Sequence, residues 1–200
     1  MSFILSENTT RRELLEPDNY AARCYGLVII GTKFNQQFGK ASTQVVIMWE
    51  LPTETFTTEK DGEQKTMPKV FSKTYTWSFN EKSNLRKTLE AWRGKKFTAE
   101  ELKGFDLRKV VGTPCLLNII REDKDTGSYN TIASVSKLPN LMTCPPQMNE
   151  NLLFDITDPA ENLDKMELMP QWIQDRIRES DEYQKRMWGD DEDIPDDYEF

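Results

Sequence analysis

The segment VFSKTYTWSF, Val70–Phe79, alternates along its whole length. Phe71, Lys73, Tyr75, Trp77 and Phe79 fall on one face, and Ser72, Thr74, Thr76 and Ser78 on the other. A period of two is the pattern of a strand with unlike faces. The period changes in the next segment, NEKSNLRKTLEAWR (Asn80–Arg93). There Leu85, Leu89 and Trp92 recur at spacings of four and three, which makes one apolar stripe on a helix, and Gly94 stops it. The chain is therefore read outward from a strand that passes directly into a helix.

Upstream, YAARCYGLVIIG (Tyr20–Gly31) and TQVVIMWEL (Thr43–Leu51) are rich in β-branched and aromatic residues and read as two strands. A polar loop, Gly31–Ser42, joins them. Pro52 stops the second strand, and the charged connection 53–69 holds Asp61-Gly62, a turn dipeptide suited to an extended hairpin tip. Downstream, Thr98 and Glu101 form a capping-box pattern that opens a short helix through Lys103. Thr113–Arg121 reads as a fourth strand, Asp123–Gly127 as a turn and Ser128–Leu138 as a fifth strand. Three strands, a helix and two strands is the order of an OB-fold, a mainly β, five-stranded barrel whose helix joins strands three and four. Another small β-barrel or α+β domain competes with that reading.

Four regions follow. Residues 1–19 form an N-terminal arm, and 20–149 form the barrel domain, closed off by Pro139, Pro145 and Pro146. Residues 150–188 form an extension with a possible short strand at Asn151–Ile156. Its short helix, Met169–Ile177, has Met169, Trp172, Ile173 and Ile177 at helical spacing, and Tyr183, Met187 and Trp188 could continue the face. Packing on the barrel and a homodimer contact both remain open for that helix. Residues 189–200, GDDEDIPDDYEF, form an acidic tail with seven carboxylates and no basic residue, a composition expected to stay disordered.

Charge is divided unevenly. Residues 150–200 hold 17 acidic and 5 basic side chains, net -12; residues 1–149 hold 17 and 21, net +4. The chain-wide value of -8 hides a mildly basic body, so a polyanionic partner stays in play. The chain has no histidine, which removes Cys/His zinc sites and His-based acid–base chemistry. The three cysteines, Cys24, Cys115 and Cys144, are odd in number and far apart, and the first two sit in apolar runs as buried thiols. No secretory signal or apolar run of spanning length is found, so the expectation is a cytoplasmic protein without a membrane. Neither a phosphate-binding glycine loop nor a dinucleotide fingerprint occurs, and no cofactor, metal or catalytic set is expected.

A single-strand groove on such a barrel needs aromatic rings for bases and cations for phosphates. The candidates are Lys33, Phe34, Phe38 and Lys40 in the first loop, Trp49 on strand two, Lys73, Tyr75 and Trp77 on strand three, and Arg121, Lys124 and Tyr129 around the last turn. For Trp49, Tyr75 and Trp77 a place in the core is the competing reading. A second basic cluster runs through Arg86, Lys87, Arg93, Lys95, Lys96, Lys103, Arg108 and Lys109, against Glu90, Glu100, Glu101 and Asp106. It could extend a DNA path, dock the tail or be an ordinary solvated face.

Two features carry a family resemblance. In the tail, Asp190, Asp191, Glu192 and Asp193 precede Ile194-Pro195, and Phe200 is terminal. This resembles the acidic, aromatic-ended tips of bacterial and bacteriophage single-stranded DNA-binding proteins, although four residues separate Pro195 from Phe200. The blocks SNLRKTLEAWRGKKFTAEELKGFDLRKVVGTPCLLNI (83–119) and YNTIASVSKLP (129–139) resemble a widespread group of small phage proteins. The resemblance implies non-catalytic binding of single-stranded DNA in phage replication or recombination. It also implies a tail, through Asp193, Ile194, Pro195, Tyr198 and Phe200, that recruits phage or host replication and recombination proteins and competes for the groove. Two other classes compete: an inhibitor whose acidic tail mimics DNA, and a metal-dependent nuclease.

Overall fold

A computed structural model describes residues 14–35, 39–60, 62–125 and 127–189. Six strands form: β1 (Asp18–Asn35), β2 (Lys40–Lys60), β3 (Glu63–Thr76), β4 (Pro114–Lys124), β5 (Gly127–Ser136) and β6 (Leu152–Asp155). The helices are α1 (Asn84–Arg93), α2 (Ala99–Lys103), α3 (Gln171–Arg178) and α4 (Asp181–Trp188). The sheet order is β3-β2-β1-β4-β5, antiparallel throughout, and β6 adds in parallel to β1. β1 divides one edge between two partners: Asp18–Arg23 pair with β4, and Gly26–Ile29 pair with β6. Two breaks in its register with β2, at Cys24/Gly26 and Ile29/Gly31, bend it. The result is a mainly β protein whose sheet curls into an open half-barrel. No strand pairing joins β3 to β5 across the remaining seam, although the Lys73 ammonium donates to the Ile132 carbonyl over it at 3.1 Å.

The strand–helix junction forms close to where its periodicity puts it. Ser83 caps α1, Gly94 takes a left-handed φ of 67° as its C-cap, and Leu85, Leu89 and Trp92 are buried. The Trp92 indole donates to the Pro114 carbonyl at 2.9 Å, and its ring lies 5.7 Å from that of Trp49. Around them Val45, Ile47, Tyr75, Leu117, Ile119 and Val135 fill the concave side. Phe79, Phe97 and Phe105 form an aromatic group next to α1, with the Arg93 guanidinium 4.2 Å from the centre of the Phe97 ring.

Three boundaries differ from expectation. β3 ends at Thr76, so Trp77 and Phe79 lie beyond the strand. β1 and β2 reach into the expected first loop, because Lys33, Phe34 and Asn35 pair with Ser42, Ala41 and Lys40. The second strand does not stop at Pro52 but runs on to Lys60 with a register break at Leu51/Thr55, so the connection 53–69 forms the extended hairpin tip expected from its turn dipeptide, paired from Thr55↔Pro68 to Lys60↔Glu63 with Gly62 at φ +81°.

The extension folds onto the convex side. Leu152, Phe154, Ile156, Met166, Met169, Ile173 and Ile177 bury Val28, Ile30, Val46 and Met48. Burial of each such side chain contributes roughly 1.5–3 kcal/mol. Two polar anchors hold the crossing segment that leads to it. Buried Glu50 accepts from the backbone N–H groups of Met148 (2.6 Å) and Asn149 (2.8 Å) and from the Asn149 amide (2.6 Å). Arg23 donates to the carbonyls of Gly112, Cys144 and Pro145. Gly31, at φ +89°, completes the fit, since a Cβ there would lie 2.5 Å from the Cβ of Ser180. Among the described residues, no helix is long and apolar enough to cross a membrane.

Glu50→Ala removes the acceptor of two backbone donors in a buried place. The expected cost is about 3 kcal/mol of unfolding free energy, read from urea denaturation. A midpoint equal to that of the parent chain would show that the crossing segment does not depend on this anchor.

Candidate functional site

β3 is the end strand, and its free edge faces the start of α1 and the edge of β5. The seam opens there into a trough of about 690 Å³. Lys73, Lys82 and Lys87 bring cations to its lining, and Thr74, Thr76, Ser78, Asn80, Ser83, Asn84 and Thr88 bring hydroxyl and amide groups. Among the described residues no carboxylate lines it. The Tyr75 side chain is part of the lining but is only 3% exposed, and the Thr88 side chain is the polar group beside its hydroxyl. Burial pushes the phenol pKa up to about 12, so it stays a neutral donor through the physiological range. Trp77, 46% exposed, lies between the lining residues Thr76 and Ser78, and its backbone N–H is tied to the Thr43 carbonyl at 2.8 Å. On the convex side, Arg176 reaches the Thr74 hydroxyl at 3.5 Å with its guanidinium 5.7 Å from the centre of the Trp172 ring. Cations, neutral donors and an open indole along one edge suit an anionic, ring-bearing ligand.

The residues expected from the sequence divide into four groups. Trp49 is fully buried and Tyr75 nearly so, which corrects their reading as base-stacking residues. The alternation in strand three was sound, but Tyr75, Lys73 and Phe71 pair with Val45, Ile47 and Trp49 and share the concave face. Lys73 is tolerated there because its ammonium leaves through the seam. Lys73 thus lines the trough and Tyr75 forms part of its wall, while Trp77 is exposed outside that lining.

Lys33, Phe34 and Lys40 sit at the β1–β2 hairpin, with Phe34 56% exposed. Here the extension supplies carboxylates. Glu179 pairs with Lys33, and Glu182 accepts from both the backbone N–H and the hydroxyl of Thr32 at 2.7 Å. Arg121, Lys124 and Tyr129 lie at the β4–β5 hairpin, beyond the other end of β1. Arg121 meets Glu16, Lys124 lies over the Tyr129 ring, and the Tyr129 hydroxyl donates to Glu122. Neither hairpin contributes to the trough lining. Phe38 and the tail residues Asp193, Ile194, Pro195, Tyr198 and Phe200 lie outside the described residues.

Half of the second basic cluster is paired with carboxylates. Arg86 pairs with Glu90, Arg93 with Glu101, Lys103 with Glu100 and Arg108 with Asp106. The hydrogen bond from Arg86 holds the Glu90 carboxyl below its usual range, and that from Arg108 does the same for Asp106. Of this cluster only Lys87 reaches the trough. The sequence reading missed Lys82, Asn80, Ser83, Asn84 and Thr88. Their signal was the polar turn SFNEKSN ahead of a helix whose first turn carries no acid.

Glu182→Ala should leave the Thr32 N–H to water, while the Thr32 hydroxyl keeps the Thr43 hydroxyl at 2.9 Å. Amide exchange at Thr32 is expected to rise about tenfold or more, while amides inside β2 keep their protection. Unchanged exchange at Thr32 would mean that the carboxylate does not hold the hairpin. No protein-family model matches the chain, and no curated protein or solved structure matches it either.

Proposed function

We propose that this protein binds single-stranded DNA without catalysing a reaction, and that the strand runs along the trough at the free edge of β3. The observation that carries this reading is the chemistry of the trough: among the described residues its lining holds three lysines, many neutral hydrogen-bond donors and no carboxylate, and the exposed Trp77 is the chain neighbour of the lining residues Thr76 and Ser78. Lysines meet phosphates, and an indole face accepts any base, so the site favours a strand over a sequence. The element order and the sheet order β3-β2-β1-β4-β5 support an OB-type barrel left open at its β3–β5 seam. Such barrels bind across strands two and three. Here the extension buries Val46 and Met48 on the convex face of β2, which moves the binding surface to the β3 edge.

The resemblance to bacteriophage single-stranded DNA-binding proteins points to phage replication or recombination as the setting. In that reading the tail, net negative and ending in Phe200, recruits replication or recombination proteins. It also competes with DNA for the lysines, an effect that salt weakens together with DNA binding.

Labelled oligothymidylate and a duplex of equal length would be titrated at rising salt against the full chain and a form ending at Gly189. Preference for the single strand is expected, with affinity falling as salt rises and the shorter form binding more tightly. Trp77→Ala should weaken binding by about 1–3 kcal/mol and leave the unfolding midpoint within a few degrees. Absence of binding by both forms at low salt would refute the reading and turn attention to the tail as a DNA mimic.

A further inference from the structure

The inward face of β3 does not stop where the half-barrel does. Tyr75, Lys73, Phe71, Lys69, Met67 and Lys65 take alternate positions on one unbroken strand and so share a face. On β2, Trp49 stands opposite Phe71 and Phe56 opposite Met67. Within the half-barrel this face is core: Tyr75 and Trp49 are buried, and the half-buried Phe71 packs against their cluster. Farther along the β2–β3 ribbon the same face is open. Phe56 is 48% exposed and Met67 half-buried, and Thr57, Thr58, Lys65 and Thr66 around them are exposed. A two-stranded ribbon with an open apolar face is marginally stable in water and gains from a further strand or a covering layer.

The described chain begins beside this face. β1 runs antiparallel to β2 with Arg23 opposite Glu50, so the Asp18 end of β1 and the ribbon leave the sheet at the same end. Leu15 is buried in the concave core there. The Asn130 side chain holds it at both backbone groups: the Leu15 N–H donates to Oδ1 at 2.7 Å, and Nδ2 donates to the Leu15 carbonyl at 3.0 Å. The Tyr20 hydroxyl donates to the Glu16 carbonyl at 2.7 Å. Burial, with the nearby carboxylates of Glu54, Asp18 and Glu16, pushes the Tyr20 phenol up, so Glu54 at the ribbon base lies close to the point where residues 1–13 join. Those residues read MSFILSENTTRRE. The stretch from Leu14 back to Leu5 spans up to about 30 Å when extended. Met67 lies about 13 Å along the strand from Phe71, well within that reach.

We propose that the inward face of the ribbon is the docking surface for residues 1–13 of this same chain, with Phe3, Ile4 and Leu5 seated on Phe56 and Met67. Leu15 is already anchored at that end, so the apolar run is presented to the ribbon at a high effective concentration through a short tether. Apolar side chains on both sides then leave water together. Charge separates this occupant from a second copy. Lys65 shares the face with Phe56 and Met67, so two copies seated face to face would bring like charges together. In residues 1–13, Glu7 follows Leu5 by two positions and supplies the opposite charge. The inference stands apart from the strand-binding reading, because it concerns the ribbon and not the trough.

The test compares the full chain with Ile4→Ser/Leu5→Ser and with Phe56→Ser, each checked by its unfolding midpoint. Nuclear Overhauser contacts between the methyl groups of Ile4 and Leu5 and the Phe56 ring are expected in the parent chain. Amide exchange at ribbon positions 55–58 and 65–67 should rise about tenfold in both variants, while the amides of β4 keep their protection. Should Phe56→Ser fail to fold, the Ile4→Ser/Leu5→Ser form still decides. Absent contacts, or unchanged ribbon exchange in that form, would overturn the proposal. A mixture of isotope-labelled and unlabelled chains separates the occupants. Contacts seen only between different copies would overturn docking within one chain and give the face to a second copy. Ribbon protection that appears only with oligothymidylate would also overturn it, giving the face to the strand and leaving the proposed function standing. Contacts within one chain in a protein that binds no strand would keep this inference and remove that reading.

Discussion

β1 and β2 are buried on both faces, and most of the architecture depends on that constraint. On the concave side Leu27, Val45, Ile47 and Trp49 meet α1 and the rest of the sheet; on the convex side Val28, Ile30, Val46 and Met48 meet the extension. A strand buried on one face only needs apolar residues at every second position. These strands read LVII and VVIM without a break, the pattern of strands covered on both sides. Without residues 150–188 the convex apolar row would be open to water. The extension is thus a second core layer, and Glu50 and Arg23 hold the crossing chain that delivers it.

The same constraint decides which edge of the sheet stays open. With the convex face of β2 closed, the remaining open edge is that of β3, where the half-barrel does not meet β5. An unpaired strand edge is a liability when flat and apolar. Here its stretch beside the seam is flanked by hydroxyl side chains and faced by lysines. Lys73 shows how the two demands combine: its stem belongs to the concave face beside Ile47, while its ammonium bridges the seam to Ile132. Packing and an open cationic edge are met by one long amphipathic side chain.

Charge pairing separates structural cations from available ones. The arginines of the helical region are engaged: Arg86, Arg93 and Arg108 each hold a carboxylate, and Arg93 also covers aromatic rings. A planar guanidinium suits such fixed, bidentate and stacked contacts. The cations that line the trough are lysines instead, while Lys33, Lys103 and Lys165 are each held by a glutamate.

The sequence by itself determined the local structure. The switch of period at residues 79–84, the capping box at Thr98 and Glu101, and the glycine at the end of α1 each act within a few residues, so the strand–helix junction and element order could be read directly. Lys73 was legible as a residue that reaches out of the core because a cation among apolar and hydroxyl side chains is unusual inside one. Only the tertiary structure decided which face of strand three looks inward, because alternation separates two faces without naming either. Trp49 and Tyr75 went to the core once α1 covered that side. The length of the β2–β3 ribbon and the gap between β3 and β5 were also decided there, since pairing depends on partners far away in the chain. Lys82, Ser83 and Asn84 looked like an ordinary polar turn; folding set them opposite Ala133 of β5, and that juxtaposition made the trough.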